Sequence, residues 1–257
     1  MSVQIKNAAE LALMAESGRR LVEVLTSLKN QIIPGTSLIA LDQLARSETE
    51  RLGGQPSFLG YRGYPAAICT SVNEGIVHCI PTGYKLQNGD LVSIDFGFIY
   101  RGWHTDSAIT WIVGEDINNY LPLLKGVYRA LEAGVARVKA NVKVGEISRA
   151  IESSLCQDQL TIMKQFVGHG VGRELHEDPV IPNFVGHDRE VVLPAGSTIA
   201  IEPIAGVGKE GYTTLADHWS VKTIDQCPVA HFEATVAVTP EGVQILTPIK
   251  QILGFTP

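Results

Sequence analysis

A chain of 257 residues, 45% apolar and 19% charged, is long enough to bury a sizeable core and has the balance of an ordinary globular protein. A formal net charge of −6, with no basic run longer than a pair, argues against a surface built to hold nucleic acid. No apolar run reaches the ~18 residues of a membrane span, and the N-terminus lacks a signal-peptide core with a cleavage site. Cys69, Cys79, Cys156 and Cys227 show no C-x-x-C pairing, the usage of cytosolic thiols and not of a disulfide framework.

In chain order, residues 8–32 read as a helix. Leu11, Met14, Gly18, Leu21, Leu25 and Leu28 recur at helical spacing, and Pro34-Gly35 ends the pattern. Thr36 or Ser37 caps a second helix with Leu38, Leu41, Ala45 and Leu52 on its inner face and Gly53-Gly54 as its stop. Strand patterns follow at Ala67–Val72 and Leu91–Val113. The helical period returns through Leu124, Val127, Leu131, Val135 and Val138, then through Ile147, Ile151 and Leu155. Strands are expected again at Ser197–Glu202 and His231–Thr239. Helix, helix, strands thus occurs twice, which suggests two similar halves. No linker or low-complexity run divides them, so residues 1–257 are expected to form a single α+β domain.

Leu91–Val113 carries the first chemical signal. Two alternating segments flank a tight turn near Tyr100-Arg101-Gly102, so Asp95 and Asp106 should lie nearly opposite each other on one face. Carboxylates pressed together in a half-buried sheet repel, and one must stay protonated unless a cation sits between them. Three more candidates stand in apolar or glycine-rich surroundings: His169 in Gly168–Gly172, Glu202 at the end of Ile199–Pro203, and Glu233 within Phe232–Val236. A strand glutamate among apolar neighbours is seldom left buried and unpaired. Four carboxylates with one imidazole make an oxygen-rich set for two divalent cations of hard-to-borderline type.

The order Asp95, Asp106, His169, Glu202, Glu233 resembles the metal-ligand set of the type I methionine aminopeptidases. The resemblance runs over nearly the whole chain. It includes Phe58-Leu59-Gly60-Tyr61-Arg62-Gly63-Tyr64-Pro65, His78-Cys79-Ile80-Pro81, and Gly168–Arg173 followed by Leu175-His176-Glu177-Asp178-Pro179. Gly196 to Pro203 and Trp219–Thr223 are similar as well. It implies the pita-bread fold, in which two pseudo-symmetric halves form a curved antiparallel sheet covered by helices.

The resemblance also implies roles. Asp95 would hold one ion, Asp106 and Glu233 would bridge both, and His169 with Glu202 would complete the other, the ions being Co, Mn, Fe or Zn. Such a pair activates a water and clamps a tetrahedral intermediate. Glu202 would also shuttle a proton, His176 would donate to the oxyanion, and His78 would contact the scissile amide or the residue after it. Phe58, Tyr61, Tyr64, Cys69, Leu175 and Trp219 would line a slot for the thioether side chain, which favours sulfur–aromatic contacts. The implied activity is removal of the initiator methionine from nascent polypeptides with a small second residue, in the cytoplasm and close to the ribosome. A monomer is expected, binding neither membrane nor nucleic acid. Xaa-Pro peptidases of the same fold, or a non-catalytic peptide-binding relative, are the alternatives.

The sequence departs from that family at five places. Val77 stands where Cys is frequent, Cys79 replaces a usual Gly, Leu175 a frequent Phe, His231 a common Gln and Ala234 a frequent His. None is expected to be a ligand, although His231 shares a strand face with Glu233, which allows it a weak contact to that ligand.

Overall fold

The computed structural model describes residues 3–257. Helix α1 spans Ala8–Lys29; Asn7 Oδ1 accepts from the amides of Ala9 and Glu10, and Glu10 reaches back to the Asn7 amide. Its Met14, Leu21, Leu25 and Leu28 are fully buried. The helix stops short of the expected residue 32, because the chain tightens into turns ahead of Pro34. Helix α2, Leu38–Arg51, begins at Ser37, whose Oγ accepts from the Ala40 amide.

Strand β1 (Cys69–Val72) pairs with one edge of β2 (Leu91–Tyr100), and β3 (Trp103–Ile112) pairs with the other, all antiparallel. Arg101 and Gly102 both take positive φ, 50° and 76°, the backbone that matches a hairpin's natural twist. Helix α1 packs on β2 and β3.

The second half repeats this plan. Helices α3 (Leu121–Val135) and α4 (Val144–Gln157) pack on each other and cover a five-stranded sheet. Val138 falls beyond α3, not within it, buried in a turn where its amide donates to the Val135 carbonyl. The sheet comprises β4 (Gly168–Gly170), β5 (Glu177–Ile181), β6 (Thr198–Ile201), and further on β9 (Ala234–Thr239) and β10 (Gly242–Ile245), in the order β10-β9-β6-β4-β5. Between them run β7 (Ile204–Gly206) and β8 (Val229–His231), which pair with each other in a separate small sheet. The expected strand over 231–239 is therefore interrupted at Phe232-Glu233, where the chain passes from one sheet to the other.

That interruption joins the halves. The Glu233 amide donates to the Ala108 carbonyl (2.9 Å), the Asp106 amide to Thr235 Oγ1 (2.9 Å), and Thr110 Oγ1 to the His231 carbonyl (2.9 Å). The otherwise unpaired edge of β3 is thereby satisfied by the segment that carries Glu233. Among the described residues no helix is long and apolar enough to cross a membrane.

Candidate metal and substrate site

Asp95 and Asp106 share a face but are not opposite. Tyr100 pairs with Trp103, so the register centres one residue later than the midpoint of the two aspartates; Asp95 faces Ala108 and Asp106 faces Gly97. The carboxylates are diagonal neighbours, still on one side because the offset is two residues. On the other edge of β2, Cys69 pairs directly with Asp95.

The hairpin supplies two carboxylates, and the join between the halves supplies the rest. Through the contacts of β3, Glu233 comes to the same wall as Asp106. His169, central in β4, pairs with Ala200 of β6, two residues before Glu202. Ligand atoms of Asp106, His169 and Glu233 lie within 4.8 Å of one another, and His169 Nε2 is 3.7 Å from Glu202 Oε1. His169 Nδ1 donates to the Gly170 carbonyl at 2.8 Å, which leaves the Nε2 lone pair facing the carboxylates. All five residues line one cavity of about 420 Å³.

The electrostatics favour a cation. Burial, and then the charges of neighbouring carboxylates, push Asp95, Glu202 and Glu233 well above the usual carboxylate range. Burial raises Asp106 to about 7. Burial lowers His169 to about 4, so its imidazole is neutral. Asp95 Oδ1 and Glu233 Oε1 are buried without a hydrogen-bond partner. Four oxygen ligands with one neutral nitrogen, two of the oxygens unpartnered, fit divalent cations; a cation would replace the missing donors and let the carboxyls ionise.

The expected slot residues also converge. Buried Phe58, Tyr64, Ala66, Cys69 and Leu175 form a cluster of their own, with Tyr61, Ile80 and Trp219 packed on it. Tyr64 meets Trp219 edge-on, ring centroids 5.2 Å apart, and its hydroxyl donates to the Ile68 and Cys79 carbonyls. Gly97 makes this possible, since a Cβ there would lie 2.6 Å from Ser57 Cβ and 3.0 Å from the Phe58 ring. His78 and His176 stand on the same cavity wall. His78 takes a left-handed backbone (φ 57°) and burial lowers its pKa. Tyr61 Oη lies 2.8 Å from His176 Nδ1, and the rings of His176 and His169 are 4.3 Å apart.

His231 approaches Glu233 as its shared strand face allowed, and it approaches Glu202 as well. Its Nε2 lies 3.7 Å from Glu202 Oε2 and 3.7 Å from Glu233 Oε2, buried and without a hydrogen-bond partner. This imidazole lines the same cavity as Glu233, two residues further along the chain. Phe166, with its neighbours Gln165 and Val167, also lines the cavity and was missed. A single aromatic in a loop carries no periodic signal, and only its packing edge-on to His78, at 6.3 Å, marks it.

The profile of metallopeptidase family M24 matches residues 12–240. The chain belongs to that family. Within M24 it is 40% identical to methionine aminopeptidase 1 of Bacillus subtilis over 242 residues, 94% of this chain and 98% of the relative. The crystal structure of methionine aminopeptidase from Thermotoga maritima superposes with a TM-score of 0.92 at 36% identity, covering 96% of this chain and 99% of that one. A Xaa-Pro dipeptidase from Bacillus anthracis, 21% identical with a TM-score of 0.74, covers 95% of this chain and 62% of that one; at that identity it shares the fold alone. This M24 chain therefore has the pita-bread architecture expected from its resemblance to the aminopeptidases, and Asp106, His169 and Glu233 form a cluster that could hold a metal ion.

Proposed function

We propose that residues 1–257 form one catalytic domain that removes the initiator methionine from nascent chains with a small second residue, by attack of water on the first peptide bond. The observation that carries this reading is the pairing of Cys69 with Asp95. It sets the apolar slot one strand spacing from the carboxylate cluster, so a side chain in the slot leaves its own carbonyl beside the metal ligands.

Asp95, Asp106, His169, Glu202 and Glu233 would hold two divalent ions, drawn from Co, Mn, Fe or Zn. When bound, such ions supply Lewis acidity and make water a better nucleophile near neutral pH. The protein's own groups then divide the work. Glu202, ionised once the cations offset the charge of its carboxylate neighbours, takes the proton from the attacking water and returns it to the departing amine. The oxyanion role requires the proton of the neutral His176 imidazole on Nε2, so the Tyr61 hydroxyl, 2.8 Å from Nδ1, is the donor in that pair. His78, also neutral, faces the scissile amide or the next residue. Phe58, Tyr61, Tyr64, Cys69, Leu175 and Trp219 take the methionine side chain and exclude water from it.

This reading places the protein in the cytoplasm as a monomer close to the ribosome, with the nascent N-terminus as its partner. The acidic chain gives it no nucleic-acid contact of its own. Cleavage of Met-Gly-X, Met-Pro-X and Ala-Pro-X peptides after metal stripping and reloading tests the proposal. Turnover of the two methionine peptides, restored by Mn, Fe or Co, is expected. Preference for Ala-Pro-X would refute it in favour of a proline-directed peptidase, and no cleavage with metal bound would favour a binding protein.

A further inference from the structure

We infer that Lys6, in the segment that precedes α1, is a positioning residue for His176. This rests on the oxyanion role given to His176 above. Lys6 and Glu177 form a buried ion pair, Nζ to Oε2 2.5 Å, with side chains 3% and 7% exposed. Glu177 follows His176 directly. Its other oxygen accepts from the backbone amides of Arg173 (2.7 Å) and Glu174 (3.3 Å). One carboxylate therefore ties together both ends of the loop that runs from β4 to His176, and the ammonium of Lys6 anchors that knot to the body of the protein.

The anchor is itself fixed. The Lys6 amide donates to the Gly196 carbonyl at 2.8 Å, and Asn7 caps α1 immediately after it. Gly172 clears the path, since a Cβ there would sit 2.5 Å from Lys6 Cε and 2.6 Å from Glu177 Oε1. Among the described residues Lys6 is the only cation paired with Glu177. His176 itself is exposed at the rim, held by Tyr61 and by stacking near His169. Its ring must keep its place against the reacting carbonyl, and misplacement by about 1 Å can cost ~10²-fold in rate. A buried ion pair adds little net stability but fixes one geometry, and removing one partner leaves the other charge uncompensated.

The test compares K6M, K6R, H176A and K6M/H176A on a Met-Gly-X peptide, with metal content and melting temperature recorded for each. K6M is expected to lower kcat by about 10- to 100-fold with KM little changed and metal retained, below the ~10²–10³ ceiling for an oxyanion donor. K6R should recover most of the loss. In the H176A background K6M should cost nothing further, because the two changes act through one contact. If K6M fails to fold, K6M/E177Q removes both charges and should show the same selective loss. A normal kcat in K6M, or in K6M/E177Q where K6M does not fold, with H176A slow, overturns the inference alone. So does an undiminished effect of K6M on top of H176A. Full activity in H176A would instead refute the role of His176, and this inference with it.

Discussion

Chelator-stripped protein should lose stability as pH rises from 6.5 to 8, while metal-loaded protein should not. Asp95, Asp106, Glu202 and Glu233 all have folded-state pKa values raised by burial. A raised acid contributes stability that is complete below its unfolded pKa and is lost as pH climbs through the folded one. The histidines have the opposite sign, since burial lowers His78, His104, His169, His176 and His231. At pH 6.5 an unfolded imidazole is still about half protonated, so each returns about 0.4 kcal/mol by pH 8, or ~2 kcal/mol for the five. Asp106, at about 7, then gives up its proton inside the window and costs about 0.8 kcal/mol. Each further carboxyl that stays protonated costs about 1.4 kcal/mol per pH unit, or ~2 kcal/mol over the window. With two such groups the loss is about 5 kcal/mol, or a net ~3 kcal/mol after the histidines' return, a fall of roughly 6–12 °C in melting temperature for a chain of this size. With cations bound, the carboxylates are ionised in folded and unfolded protein alike, and this slope vanishes. Thermal and urea unfolding of both forms at the two pH values make the measurement. A stripped protein whose stability is flat or rises across the window would refute the account of a mutually repelling carboxyl cluster.

Three further outcomes are expected. Glu202→Gln keeps the shape but removes the proton acceptor, so kcat should fall by about 10²–10⁴ with the circular dichroism unchanged; near-normal turnover would remove Glu202 from the proton path. Cys69→Trp should fill the slot beside Asp95, reducing kcat/KM on methionine peptides at least tenfold for a packing cost of about 1–3 kcal/mol. Unchanged kinetics in a folded variant would move the methionine site elsewhere. His231→Leu removes the imidazole lying 3.7 Å from both Glu202 and Glu233, and metal affinity measured by chelator competition should drop about 10–100-fold. Equal affinity would make His231 a bystander.

Much of the site was legible in the sequence because strand alternation is local. It put Asp95 and Asp106 on one face, and a register error of one residue in the turn did not alter that. The helices were equally plain: Leu21, Leu25 and Leu28 repeat at the spacing of a helix face, and Ser37 caps as expected. Apolar or glycine-rich surroundings singled out His169, Glu202 and Glu233, while resemblance carried the slot residues, which no local pattern brings together. The sequence could not foresee the end of α1 or the place of Val138, since helix ends are decided by turns that compete with one more helical bond.

What the chain determined by itself was therefore its elements, their caps and the faces they bury, all consequences of side chains a few residues apart. What only the tertiary structure decided was convergence. Glu233 reaches Asp106 because the unpaired edge of β3 takes its hydrogen bonds from a strand more than 120 residues away, as in Ser107 Oγ to the Glu233 carbonyl, separated by 126. His231 comes to 3.7 Å from Glu202 as well as from Glu233. Lys6 meets Glu177 across 171 residues. Contacts of that range depend on how two sheets dock, and no periodicity within either segment encodes the docking.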